Sequence, residues 1–140
     1  MTRTAVVALA LVALAACGGG GGTAPEAAPA TLAGRWVGTE VVGATSTAIE
    51  VDLVGERLVT GTGAYLVPAR PSFRGPVRVG GEYTAPRFDL TVTSVQCGCG
   101  VSYTGTVSGT TLRGTRPARP PTAAGYPGVE LATLTLTRAP

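Results

Sequence analysis

Cys97-Gly98-Cys99 is the one place in this 140-residue chain where two reactive side chains stand almost side by side. Cysteines two apart in a turn can bring their Cα atoms to the roughly 5.5 to 6 Å that a disulfide needs, so the pair reads as a clip across a turn. Free or intermolecularly paired thiols are a second outcome. Redox or metal work is a third, although two thiolates alone make only half a zinc site. The rest of the catalytic inventory is thin. The chain has no histidine, which removes the commonest general base and the commonest zinc ligand, and with them Ser-His triads, Cys-His dyads and His-containing metal centres. Of the eight acids, Glu50, Asp52 and Asp89 alternate with apolar neighbours and are expected to face solvent. Glu40, Glu56, Glu82 and Glu130 are scattered near turns or strand starts. That pattern suggests no carboxylate pair with a raised pKa, so no catalytic residue, metal or cofactor is expected and the chain reads as a non-enzyme.

The cations are equally unspecific. All eleven basic residues are Arg, with Lys and Asn missing, a bias that fits GC-rich codons better than a functional demand for guanidinium. Arg70, Arg74, Arg78 and Arg87 gather around one connection, and Arg113, Arg116 and Arg119 around a second, Pro-rich one from Pro117 to Gly128. These read as solvated surface. A functional alternative has the loops touching anionic head groups or cell-wall polymers. Without the leader described next, ten Arg stand against eight acids, a balance of +2 that is no nucleic-acid footprint.

The amino terminus explains where the protein is expected to work. Arg3 precedes twelve uninterrupted Ala, Val and Leu residues, Ala5 to Ala16, the layout of a secretory signal segment. As a helix they would span roughly 18 Å, short of the roughly 30 Å hydrocarbon core, so permanent insertion is not expected. The segment ends Leu14-Ala15-Ala16-Cys17, which resembles the lipobox of bacterial lipoproteins. The resemblance implies cleavage after Ala16, a diacylglyceryl group on the Cys17 thiol and acylation of the new amino group, with fatty chains such as palmitate. Two or three chains hold a protein on a membrane where one holds it only marginally. Gly18 after the cysteine implies the outer membrane where the cell has one, and otherwise the outer face of the cytoplasmic membrane. Export to an oxidising compartment, with Cys17 consumed by lipid, leaves Cys97 and Cys99 as a matched pair.

Five glycines, Gly18 to Gly22, and an Ala/Pro-rich stretch follow. The expected organisation is a signal peptide over 1–16, a lipidated cysteine and flexible tether over 17–30, and one domain over 31–140. That domain reads as all-β. Ile49, Val51 and Leu53 alternate with Glu50 and Asp52; Phe88, Leu90 and Val92 with Asp89, Thr91 and Thr93; Leu134 and Leu136 with threonines. Eight strands are expected near 32–42, 47–54, 57–67, 74–83, 87–95, 101–108, 110–116 and 129–138. Short connections favour a small antiparallel up-and-down barrel, which has no free edges, over a β-sandwich.

Gly34-Arg35-Trp36 resembles the G-x-W that opens the barrel in lipocalins, avidins and related calycin proteins. The resemblance implies a basic residue from the last strand lying across the tryptophan, and Arg138 shares the parity of Leu134 and Leu136. Trp36 and Arg138 are therefore expected to close the barrel. The functional expectation is a lipid-anchored, non-enzymatic envelope protein that binds or serves structurally, with a small apolar ligand in the barrel as one option. A protein-interaction or inhibitor module working through its loops is the other, and an enzyme is a distant third. Partners are then the membrane, through Cys17, and a small apolar ligand or an envelope protein.

Overall fold

The computed structural model describes residues 26–66, 75–117 and 131–140. The alternating segments form eight strands: β1 (Gly34–Val42), β2 (Thr45–Val54), β3 (Leu58–Tyr65), β4 (Gly75–Thr84), β5 (Arg87–Ser94), β6 (Gly100–Ser108), β7 (Thr111–Pro117) and β8 (Leu131–Arg138). No helix occurs among the described residues. Each strand pairs antiparallel with the next, and β8 returns to β1 in a register running from Trp36↔Arg138 to Val42↔Ala132. The sheet is thus a closed up-and-down barrel, not a sandwich, and closure leaves no edge for a foreign strand to extend.

One residue in two points inward, and the inward side chains of all strands meet in a single cluster. Trp36, Tyr103 and Leu112 lie in it with no exposed surface, and none of its members exceeds 6% exposure. A solvent-sized void against these side chains would register as exposed surface, so they fill the barrel as a core. Room for the rings comes from glycine. A Cβ at inward-facing Gly114 would stand 2.7 Å from Cζ of Phe88, so the bare backbone of β7 is what lets that ring approach so closely.

Strand direction sorts the connections between two ends. The β1–β2, β3–β4, β5–β6 and β7–β8 connections share one end, called here the loop end; residues 67–74 and 118–130 of two of them lie outside the described residues. The other end carries the short β2–β3, β4–β5 and β6–β7 turns, the second of which contains a cis Ala85–Pro86 bond.

The residues before β1 cover this second end. The Gly109 N–H donates to Ala27 O at 3.2 Å, Ser108 Oγ to Glu26 O at 2.9 Å and Tyr83 OH to Pro29 O at 2.6 Å. Thr31 Oγ1 donates to Gly55 O at 2.7 Å, and Leu32 is fully buried under the barrel floor. Residues 26–30, expected to belong to the tether, are therefore strapped to the barrel. The backbone carbonyls of Glu26, Ala27 and Pro29 accept three of these bonds, so the Ala/Pro composition that suggested a loose spacer carried no sign of them.

Candidate functional site

The most chemically distinctive group of side chains sits inside the barrel toward the loop end. On β1 the inward parity runs Gly34, Trp36, Gly38, Glu40, and that register puts a carboxylate among the core residues, 7% exposed. On β7 the same parity runs Leu112, Gly114, Arg116. The guanidinium reaches Glu40 Oε1 through Nε at 2.9 Å and through Nη2, and Tyr103 OH from β6 donates to the same oxygen at 2.7 Å. Arg116 Nε also meets the Tyr103 hydroxyl at 3.1 Å. Both charged side chains are deeply buried, at 9% and 12% exposure, so each depends on the other for compensation.

Two expectations are corrected here. Glu40 does lie near the β1–β2 turn, but it is buried and paired inside the barrel, and Arg116 is not part of a solvated basic surface. Both take inward positions because strand parity, not polarity, decides which way a strand residue points. Glu50 and Arg35, by contrast, pair outside the barrel at 2.6 Å, and Asp52 and Asp89 are exposed.

Burial raises the Tyr103 phenol far above its ordinary range, and the neighbouring Tyr65 and Glu40 add to the effect. Tyr65, at the loop end of β3, is pushed up to about 12 by burial and then by the Glu40 carboxylate. Burial pulls the Arg116 guanidinium down, but hydrogen bonding and charge from Tyr103 and Glu40 outweigh it and hold it above its usual value. The resulting network keeps neutral phenols and a fixed ion pair. It can hold β1, β6 and β7 in register beneath the loops.

Cys97 and Cys99 are joined by a disulfide in the β5–β6 connection, with Cα atoms 5.2 Å apart. Gly98 between them takes φ +66, the left-handed conformation that lets the chain reverse within two residues. Ser94 anchors both sides of the turn: its N–H donates to Cys99 O and its carbonyl accepts from Gly98 N–H, each at 2.9 Å. The clip therefore holds one loop rigidly at the loop end. Among the described residues no three Cys, Asp or Glu gather as a metal site.

At the strapped end, Arg138 lies with Cζ 5.8 Å from the centre of the Trp36 ring and donates through Nη2 to Ala33 O. The indole N–H donates to Leu32 O at 2.7 Å. The pair singled out in the sequence thus joins the first strand, the last strand and the strap in one contact. Arg78, Arg87 and Arg113 are exposed on the barrel wall. Cys17, the leader, Arg70, Arg74, Arg119 and Glu130 lie outside the described residues. Two cavities lined by described residues are open grooves, one of about 440 Å³ between Glu82, Arg87 and Thr106 and one of about 390 Å³ between Glu26, Ser108 and Arg113. No known protein family, curated protein or solved structure matches this chain.

Proposed function

We propose that this chain is an exported lipoprotein of the bacterial envelope, anchored by acyl chains on Cys17, whose barrel is a rigid, non-enzymatic module that binds an envelope partner through its loop end. The observation that carries this reading is the packed interior. A carrier of apolar molecules needs lining side chains with surface to offer, and here Trp36, Leu112 and Tyr103 have none. What the barrel offers instead is a stiff frame: the Glu40–Arg116–Tyr103 network and the Cys97–Cys99 clip both brace the end from which the longest connections leave. Binding residues concentrate on loops held by such a scaffold. The G-x-W opening and the Arg138 contact fit a calycin-like barrel adapted in this way.

Two measurements on protein taken from its own membrane test the reading. Native mass spectrometry is expected to show the barrel without a bound apolar molecule. Photo-crosslinkers placed at Ala44 and Val95, on the loop end, are expected to capture one protein that a crosslinker at wall position Thr104 does not. A stoichiometric apolar ligand in the barrel, or capture from Thr104 alone, would overturn it.

A further inference from the structure

The strap determines which way up the barrel can stand on a membrane. Glu26, the first described residue, is held beside the β6–β7 turn by Ser108, and the chain crosses from there past Tyr83 to the β2–β3 turn at Gly55. The connection toward Cys17 therefore departs from the strapped end. Nine residue steps separate Cys17 from Glu26. Fully extended they reach roughly 30 Å, and as a relaxed Gly-rich chain they average about 15 to 18 Å. A nine-residue strand tilted as barrel strands are stands about 23 Å tall before its turns are added. To lay the loop end on the bilayer, the leash would have to run almost straight up the barrel wall. The strapped end meets the bilayer without any such stretching.

That end also presents chemistry suited to the contact. Val54 and Leu58, 59% and 70% exposed, flank the β2–β3 turn, and Leu58 is the most exposed large apolar residue described. Arg57 stands between them beside Glu56, and Ala85 and Pro86 are exposed in the next turn. Apolar side chains flanking a guanidinium suit the head-group boundary, where methyl groups leave water and the cation meets phosphate. We propose that the strapped end is the membrane-facing surface, with Val54 and Leu58 resting in the head-group region of a phospholipid bilayer and the loop end directed away from it. This rests on the lipid anchor at Cys17, and it makes the partner of the loop end something other than the anchoring membrane.

The test uses the mature lipidated protein in vesicles of phosphatidylethanolamine and phosphatidylglycerol. Single substitutions Leu58→Cys, Thr110→Cys and Ala44→Cys are labelled with a polarity-sensitive dye, the first two at the strapped end and the third at the loop end. Spin-labelled lipid is expected to quench the Leu58 and Thr110 labels by about half or more and the Ala44 label by less than about a tenth. Protein that floats with the vesicles while all three labels quench alike, or Ala44 most, overturns the orientation and leaves the anchor standing. Protein that does not float, or a Cys17→Ser form that floats equally well, overturns the anchor and the orientation with it.

Discussion

Replacing Arg116 by alanine would leave the Glu40 carboxylate inside the barrel with one of its two partners gone. The cost follows from the geometry. Glu40 Oε1 accepts from Arg116 Nε, Arg116 Nη2 and Tyr103 OH, and the residue is 7% exposed. Breaking a buried pair from one side typically costs about 3 to 5 kcal/mol, because the orphaned charge stays desolvated. The Tyr103 bond survives in the variant, and the vacated Arg116 position lies at the loop end, where water can follow, so the lower value of about 3 kcal/mol applies. Urea unfolding followed by far-ultraviolet circular dichroism should show the midpoint falling by about 2 M, given a slope near 1.5 kcal/mol/M for a domain of this size. Glu40→Gln combined with Arg116→Met removes both charges while keeping volume, and should be less unstable than the sum of its singles by at least about 1 kcal/mol. An Arg116→Ala cost below about 1 kcal/mol, or additivity in the cycle, would mean the pair behaves as a surface ion pair and that the reasoning from burial is wrong.

Trp36→Ala should cost about 3 to 5 kcal/mol and Arg138→Ala about 1, with a coupling of at least about 0.5 kcal/mol in the double variant, measured by the same unfolding; independence would dissolve the strand-closing contact. The two buried tyrosines predict loss of stability in alkali. Their phenols titrate higher in the folded chain than in the unfolded one, so the stability they contribute is whole below pH 10 and falls as the pH rises toward 12. Between pH 8 and pH 11 each should contribute a loss of about 1.4 kcal/mol, and Tyr65→Phe should remove its share; an unchanged slope in that variant would contradict its burial. Alkylation of the denatured mature protein should label Cys97 and Cys99 only after reduction, and labelling without reductant would contradict the clip.

Much of the barrel was legible because its strands obey a period of two. Ile49, Val51 and Leu53, then Phe88, Leu90 and Val92, then Leu134 and Leu136 each announce an inward face; parity put Arg138 on the face of Leu134 and Leu136, and the G-x-W resemblance implied its place across Trp36. The candidate site was hidden by the same rule. The inward row Gly34, Trp36, Gly38, Glu40 holds one apolar residue in four, and Leu112, Gly114, Arg116 one in three, so their charged members looked like solvent-facing residues on weak strands. The usable signal was spacing: Glu40 lies four residues from Trp36, hence on the same face, and Arg116 lies four from Leu112. The strap gave no comparable signal, since its contacts are made by the carbonyls of Glu26, Ala27 and Pro29 and no side-chain pattern records them.

The account depends most on the fate of Cys17, because export, the oxidised clip, the anchor and the orientation of the barrel all follow from it. Intact mass and fragmentation of the protein extracted from the membranes of its own cells measure that fate directly. The account predicts a chain that begins at Cys17 and carries a diacylglyceryl thioether on that residue, with the signature lost in Cys17→Ser. A chain that still contains Ala16, or one whose Cys17 thiol is free, would contradict it.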